Sequence, residues 1–141
     1  MKIVAILTIL MAFTLNAYSQ GSFTEKTFDE FMAIAEDRMF TLENTDENFV
    51  FITGNGRKMG RTVIKEATST MSIINKFSDL TVNQSGGTAI VSGIIDQKIS
   101  QKVNPSDVFE YKGVFTAVWA SQKKKWVLMS WQHSDYRPNE H

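Results

Sequence analysis

Side chains able to do acid–base chemistry are few and lie late in the sequence. The carboxylates and phenols on or beside β-type segments are Asp96, Glu110, Tyr111, Asp135 and Tyr136. Proton abstraction in an apolar pocket needs a carboxylate that faces a phenol or a protonated acid. Spacing alone pairs none of these residues, and a carboxylate on a strand more often faces solvent. Whether the chain is an enzyme therefore stays open, and no catalytic residue is assigned.

His133 is the histidine that lies inside a predicted element, since His141 follows the last predicted strand. No second histidine stands two or four residues from it, and no carboxylate pair accompanies it, so we expect no metal site. A lone histidine on a sheet face is more often a packed or interfacial residue. The sequence has no cysteine, which excludes thiol catalysis and cysteine-based metal sites. No cofactor is expected.

A glycine-rich segment, residues 54–62, lies between a predicted strand and a predicted helix, where a phosphate-binding loop would lie. That loop has four residues between its first glycine and Gly-Lys-Ser/Thr. Here five residues separate Gly54 from Gly60, and Arg61 stands in place of the lysine. The segment is therefore predicted to be a turn, which its Asn-Gly pair favours.

The charge of the chain is balanced, with 15 basic and 15 acidic side chains and a formal net charge of zero. This balance argues against binding to nucleic acid or to an anionic membrane surface. The densest basic cluster, Lys123 to Lys125, is predicted to be a solvated turn.

Residues 1–19 predict a signal peptide. Lys2 precedes an apolar stretch, and the small residues Ala17 and Ser19 occupy the −3 and −1 positions of a cleavage site. The apolar stretch is too short to span a bilayer, which takes about 20 residues. We expect an exported protein, periplasmic or extracellular, with one domain over residues 20–141 and no stable membrane insertion after cleavage.

Two predicted helices precede a run of adjacent β-type segments. The pair Thr27 and Glu30 reads as a capping box for a first helix over about residues 28–41, and Thr62 as the cap of a second helix. The β-type segments cover residues 49–53 and then roughly 77–84, 88–99, 108–121 and 126–136, with a loop at 104–107. This order predicts an α+β fold in which an antiparallel sheet packs on N-terminal helices.

The last two segments align as a hairpin. A two-residue turn at Lys123 and Lys124 sets Trp119 opposite Leu128, and directly opposed residues share a face. One face then carries Phe115, Ala117, Trp119, Trp126, Leu128, Ser130, Gln132 and Ser134. The other carries Val114, Thr116, Val118, Val127, Met129, Trp131 and His133. Both faces are largely apolar, so we expect the second face to be covered by another subunit in a homodimer.

The residues of this hairpin carry a family resemblance. The stretches 115–119 (FTAVW) and 126–134 (WVLMSWQHS) resemble the C-terminal hairpin of the NTF2-like superfamily. They most resemble its DUF4440 or SnoaL-like branch of small bacterial domains related to ketosteroid isomerase. The stretch 49–52 followed by Gly56 is similar to that family's first strand and glycine turn. The resemblance implies an NTF2-like cone, in which a curved sheet wraps helices around a pocket, commonly as a homodimer. The chain departs from the family in a shorter first helix and a longer acidic connector.

Two functions follow as expectations. The first is binding of a small apolar molecule in the pocket. The alternative is an isomerase or hydro-lyase of the ketosteroid-isomerase or SnoaL-like kind that uses a pocket carboxylate, and a dimerisation module is a third possibility. The residues predicted to line the pocket are Tyr111, Phe115, Trp119, Ser130 and Gln132. The Gln132 amide is the predicted orienting group, because ligand pockets combine apolar walls with a few placed polar groups.

Overall fold

The computed structural model describes residues 21–33 and 44–135. Two helices and six strands lie within these ranges: α1 (Glu25–Ala33), β1 (Thr45–Ile52), β2 (Lys58–Gly60), α2 (Arg61–Thr70), β3 (Met71–Ser85), β4 (Thr88–Gln101), β5 (Asn104–Gln122) and β6 (Lys125–Asp135). The predicted signal peptide and the second half of the predicted first helix lie outside the described residues. None of the described helices is long and apolar enough to cross a membrane.

The six strands form one curved sheet in the order β2-β1-β6-β5-β4-β3. Neighbouring strands are antiparallel except for β1 and β6, which are parallel. The α+β prediction is confirmed, with the correction that the sheet is mostly rather than wholly antiparallel. The exception arises because β1 joins β6 through α2 and the three long strands, and such a crossover allows a parallel pair.

The predicted loop at residues 104–107 belongs instead to the start of β5. The chain reverses earlier, at Lys102 and Val103, so that Asn104 pairs with Gln101. The pairing register shifts directly afterwards, between Ser100 and Gln101. Proline in this irregular and exposed part of β5 removes no ladder hydrogen bond, so its presence did not mark a loop.

The first helix begins three residues earlier than the capping-box prediction implied. The Thr24 N–H donates to Thr27 Oγ1 and the Thr27 N–H donates to Thr24 Oγ1, both over 3.2 Å. Thr24 is therefore the N-cap and Thr27 occupies the N3 position, where it replaces the Glu30 of the prediction.

The cap of the second helix was also wrong. The N-cap is Gly60, with extended backbone and no side-chain hydrogen bond, so Thr62 lies inside α2. The helix ends at Thr70, and Met71 already belongs to β3. Ile74, three residues further on, is an exposed strand residue. The isoleucine and methionine side chains at this junction fit the periodicity of a helix as well as that of a strand. Backbone pairing with β4 makes this segment a strand.

The turn of the last hairpin is as predicted. Lys123 and Lys124 both have positive φ, 49° and 68°, as a tight two-residue hairpin turn requires. Trp119 pairs with Leu128, which confirms the predicted register next to the turn.

Beyond that pair the predicted register is wrong. A bulge between Trp119 and Val118 moves the partner of Val118 to Ser130, so that Phe115 pairs with His133 instead of Gln132. One extra residue in β6 reverses which side chains face the core. Trp131 and His133 are consequently buried, and Gln132 is exposed on the opposite face.

The inner face of the sheet, defined as the face that carries Trp131 and His133, packs against α1 through aromatic rings. Phe28 of α1 is fully buried and stacks on Phe115 with ring centroids 5.7 Å apart. Phe115 in turn stacks on Trp131 at 4.6 Å, with the ring planes within 6° of parallel. Trp119 meets Phe28 edge to face. These contacts bury all four rings between α1 and the sheet, each with at most 2% of its surface exposed.

A candidate ligand cavity under the second helix

An open cavity of about 600 Å³ lies between α2 and the inner face of the sheet. Its wall is mostly apolar, formed by Phe51, Met59, Ile64, Ala67, Met71, Ile73, Ile99 and Phe109. The polar side chains on the wall are Thr53, Asn55, Arg57, Thr68, Gln97, Tyr111, His133 and Asp135. An apolar wall with a few polar groups, in this size range, is the usual form of a small-molecule site.

Helix α2 covers the cavity with one large and two small side chains. Ile64, Ala67 and Thr68 follow one another at helical spacing and face the sheet. Thr68 turns its hydroxyl back to its own helix, where Oγ1 donates to the Ile64 carbonyl over 2.8 Å. Ala67 and Thr68 therefore present methyl groups to the cavity, and their small size leaves the space open.

Tyr111 lies flat along β5 because the next inward position is Gly113. A Cβ at Gly113 would overlap the hydroxyl and the ring of Tyr111. The ring stacks on His133 with centroids 5.4 Å apart, and its hydroxyl donates to the Ser134 carbonyl over 3.0 Å. Burial, together with the nearby charge of Asp135, raises the pKa of the Tyr111 phenol. The phenol is therefore protonated at neutral pH.

His133 is the most deeply buried titratable side chain on the cavity wall, with 6% of its surface exposed. The ring is surrounded by aromatic side chains: Phe51 edge-on at 5.2 Å, Tyr111 stacked, and Trp131 edge-on at 5.9 Å. Burial lowers the pKa of His133 from 6.5 to about 4, because water no longer solvates the charged form. The ring is neutral at pH 7. Its Nε2 atom is buried and has no hydrogen-bond partner among the described residues.

Gln97 reaches the same wall from β4 and is 4% exposed. Its Nε2 donates to Asn75 Oδ1 on β3 over 2.8 Å. This cross-strand bond holds the side chain in one orientation. A rigid amide at the wall adds polarity without a charge.

The mouth of the cavity is formed by the turn between β1 and β2. Gly56 has φ +80°, which glycine adopts without strain. Arg57 from this turn and Asp135 from the end of β6 are both exposed at the mouth. The charged groups of the cavity therefore lie at its entrance, whereas the deeper wall is uncharged.

The structure separates the five predicted pocket residues. Tyr111 lies on the cavity wall. Phe115 and Trp119 face inward, as predicted, but they pack in the aromatic core with 2% and 0% exposure. Ser130 and Gln132 lie on the outer face, opposite Val118 and Thr116, because of the bulge. Their predicted place on the inner face is wrong for that reason.

Sequence reasoning missed the two deepest polar residues of the wall, His133 and Gln97. Gln97 was readable in principle, since it pairs directly with Tyr111 and so shares its face. His133 was not readable from the assumed register, which placed it on the outer face.

Two of the candidate carboxylates point away from the cavity. Both form exposed cross-strand ion pairs. Asp96 Oδ1 lies 3.6 Å from Lys112 Nζ, and Glu110 Oε1 lies 2.7 Å from Lys98 Nζ. Of the described carboxylates, Asp135 is the one on the cavity wall, and Tyr136 lies outside the described residues. Among residues 21–33 and 44–135, no group of three or more histidine, aspartate or glutamate side chains is arranged to hold a metal ion.

Known structures of the same shape cover most of the chain. An NTF2-like protein of unknown function in nutrient uptake from Rhodospirillum rubrum aligns with TM-score 0.69 and 14% identity, over 82% of this chain and 100% of that chain. An NTF2-like protein from Cytophaga hutchinsonii aligns with TM-score 0.65 and 13% identity, over 82% and 100%. The association domain of C. elegans CaMKII aligns with TM-score 0.60 and 10% identity, over 78% and 91%.

The chain therefore has the NTF2-like fold, as the resemblance implied. No family sequence model and no curated protein sequence matches it. At these identities the likeness establishes the fold alone, since one fold serves many functions.

Proposed function

We propose that this chain, with its NTF2-like fold, binds a small, mostly apolar molecule in the cavity under α2. The observation that carries the proposal is the contrast inside one sheet face. Beneath α1 the aromatic rings pack on one another with at most 2% of their surface exposed, and beneath α2 an open cavity of about 600 Å³ has a mainly apolar wall. A monomer gains nothing in stability from leaving such a volume open, because an empty apolar cavity forfeits packing contacts.

The test is a fluorescence titration with naphthalene, a rigid hydrocarbon small enough for the cavity. The wild-type chain is expected to bind it saturably. Ala67→Leu places extra carbon atoms in the cavity and should weaken binding about tenfold or more, since overpacking costs about 1–3 kcal/mol. The matched control is Val63→Leu, on the exposed face of the same helix, which should leave binding unchanged. Equal affinities in wild type and both variants would place binding elsewhere and overturn the proposal.

An isomerase or hydro-lyase is the second candidate. The observation that favours it is the presence of Asp135 and Tyr111 on one cavity wall, a carboxylate beside a phenol whose pKa is raised. A proton transfer of this kind needs both groups within reach of one substrate. Exchange of a substrate C–H for deuterium, abolished in Asp135→Asn and retained in Asp96→Asn, would support this function. Equal exchange in both variants would exclude Asp135 as the base.

We also propose a homodimer formed through the outer face of the sheet, the face opposite His133. Ile90 and Val114 are 42% and 39% exposed there, beside Ile94 and Val118 in the ladder. A structure of the same fold is named an association domain. Trp131, which the sequence placed on the face covered by the second subunit, is 1% exposed and lies in the core instead.

Sedimentation at micromolar concentration tests the dimer. Val114→Glu is expected to give monomers, because it sets a charge in the apolar patch. Val103→Glu is the control, at the 90% exposed turn between β4 and β5. A wild-type chain that sediments as a monomer would refute the dimer.

The finer family assignment and the export of the chain are also proposals. The hairpin sequence supports membership of the DUF4440 or SnoaL-like branch. The apolar stretch after Lys2 and the small residues Ala17 and Ser19 support cleavage before Gln20. The intact mass of protein secreted from a bacterial host decides the cleavage. A secreted chain that keeps residues 1–19 would contradict it.

A further inference from the structure

The two charged side chains at the mouth of the cavity lie on the same face of the sheet. Met59 pairs with Phe51 on the inner face, and Arg57 precedes Met59 by two residues. Asp135 follows His133 by two residues in β6. Residues two apart in an extended chain share a face, so both charged side chains belong to the cavity wall, where the structure places them.

The β1–β2 turn brings these two charges to one part of the rim. The Thr53 N–H donates to the Arg57 carbonyl, and the Arg57 N–H donates to Thr53 Oγ1, each over 3.0 Å. The backbone of Arg57 therefore lies beside that of Thr53. A Cβ added at the next residue, Gly54, would lie 3.0 Å from Asp135 Oδ1. The guanidinium and the carboxylate thus extend from neighbouring positions.

The two groups do not neutralise each other. Arg57 and Asp135 are both exposed, and neither forms an ion pair with any residue that the structure describes. The side chains deeper in the wall carry no charge at neutral pH. The cavity therefore combines an apolar interior with one positive and one negative group at its mouth.

A ligand head group with a single charge suits only half of this rim. An ammonium group is attracted by Asp135 and repelled by Arg57, and a carboxylate experiences the reverse. A head group that carries both charges can pair with each side chain, and complementary charge of this kind gives specificity. The guanidinium also matches a carboxylate with two parallel hydrogen bonds. The rim therefore fits a zwitterion.

We propose that the ligand is an amino acid with an apolar side chain, which lies under α2 while the carboxylate binds Arg57 and the ammonium group binds Asp135. This inference rests on the proposed function, because it assigns the head group of the same small, mostly apolar ligand. The cavity of about 600 Å³ has the size of a small-molecule site and a mainly apolar wall, which suits such a side chain.

The experiment compares four probes that share an indole ring. These are 3-methylindole without a charge, tryptamine with an ammonium group, indole-3-propionate with a carboxylate, and free tryptophan with both. Equilibrium dialysis at about pH 7 keeps these groups ionised. The wild-type chain is expected to bind tryptophan about three- to tenfold more tightly than 3-methylindole, since each ion contact at an exposed site contributes up to about fivefold. The two singly charged probes should bind more weakly than tryptophan.

Two variants separate the two charges. In Asp135→Asn the remaining charge is Arg57, so indole-3-propionate should become the tightest probe. In Arg57→Gln the remaining charge is Asp135, so tryptamine should become the tightest. Both variants should keep the affinity for 3-methylindole, which reports that the fold and the cavity survive. The matched controls are Lys58→Gln and Asp96→Asn, which remove charges outside the cavity wall and should leave the order of the probes unchanged.

The order of the probes can overturn the proposal. If tryptamine or indole-3-propionate binds most tightly to the wild-type chain, a single charge selects the ligand and the zwitterion is refuted. It is also refuted if the control variants change the order as strongly as Asp135→Asn and Arg57→Gln do.

Failure of this inference is distinguishable from failure of the proposed function. If the four probes bind equally and Ala67→Leu weakens all of them, the cavity binds ligands and the assignment of the head group is refuted. If neither naphthalene nor any indole probe binds to the wild-type chain, both proposals fall.

Discussion

The inner face of the sheet is packed with side chains beneath α1 and borders an open cavity beneath α2, although the same strands form both ends. Under α1, Phe28 inserts a ring among Phe115, Trp119 and Trp131, and the space is filled. Under α2, the facing residues are Ile64 and the smaller Ala67 and Thr68, and the space stays open. The strands supply aromatic rings to both ends, so the side chains of the covering helix decide which end becomes core and which becomes cavity.

Polarity follows the same division. Under α1 the buried rings of Phe28, Phe115, Trp119 and Trp131 contact one another, and the buried polar atoms among them are indole nitrogens. The wall under α2 includes His133 and Gln97, both more than nine-tenths buried, next to an open volume. A buried polar group is expensive in a packed core and useful beside a ligand. One end therefore serves stability and the other serves recognition, and the two can be tested separately.

The largest expected effect is at the filled end. Phe28→Ala should lower the free energy of unfolding by about 3–5 kcal/mol, because removal of the fully buried ring leaves a cavity among its four aromatic neighbours, Phe77, Phe115, Trp119 and Trp131. Urea unfolding at fixed protein concentration measures the loss. The control is Phe109→Ala at the rim of the open end, where the ring is 62% exposed and the change should stay within about 0.5 kcal/mol. Similar losses in the two variants would remove the distinction between the ends.

The next effect comes from the open end and depends on pH. The folded pKa of His133 is about 4 and its ordinary value is 6.5, so the unfolded chain binds the proton first as pH falls. Stability is therefore complete above pH 6.5 and declines by about 1.4 kcal/mol per pH unit towards pH 4, about 3 kcal/mol in total.

His133→Phe is the matched control for this pH dependence. It should show no decline in stability between pH 6.5 and about pH 5. The lowered pKa values of the Asp46 and Glu110 carboxyls act only at lower pH, because their ordinary values are 3.8 and 4.5. A wild-type chain as stable at pH 5 as at pH 7 would contradict the buried, neutral state of the ring.

One substitution made at both ends sharpens the comparison. Ala117→Leu adds three carbon atoms at a position with no exposed surface, and overpacking should cost up to about 3 kcal/mol. Ala67→Leu adds the same atoms into the cavity and should be neutral or slightly stabilising. Urea unfolding of both variants gives the difference. A loss in Ala67→Leu as large as in Ala117→Leu would show that the cavity is closed in solution.

Much of the fold could be predicted from the sequence because its signals are local. Alternating apolar residues and the lysine turn set the strands of the last hairpin and the pair Trp119–Leu128. The first cap was misplaced because Thr24 and Thr27 both suit an N-cap, and it is Thr24 whose partner three residues on returns the hydrogen bond. The second was misplaced because its N-cap is Gly60, which makes no side-chain hydrogen bond.

The site could be predicted only in part because a bulge is a tertiary choice. The alternation of side chains along residues 126–134 continues through Met129, and no proline or glycine in this stretch marks the bulge. One signal was present: with unbroken pairing, Ser130 and Gln132 face the core while Trp131 faces out. That polarity is inverted for a buried face. One extra residue in β6 corrects it, and the same step brings His133 to the cavity.

The smallest expected effect concerns Gly113, which lets the Tyr111 ring lie beside His133. A Cβ at position 113 would overlap that ring, so Gly113→Ala should displace it from its hydrogen bond to the Ser134 carbonyl. The loss should be about 1 kcal/mol, the usual net worth of one hydrogen bond, because the half-buried ring has room to move towards the mouth.

The same change in a Tyr111→Ala background should instead stabilise by about 0.4–1 kcal/mol, since alanine restricts the unfolded chain more than glycine. A double-mutant cycle by urea unfolding measures this reversal of sign. The pKa of the Tyr111 phenol, raised by burial, should return towards its ordinary value in Gly113→Ala alone. If Gly113→Ala changes stability equally in both backgrounds, the glycine does not position Tyr111, and the cavity wall owes its shape to the strands alone.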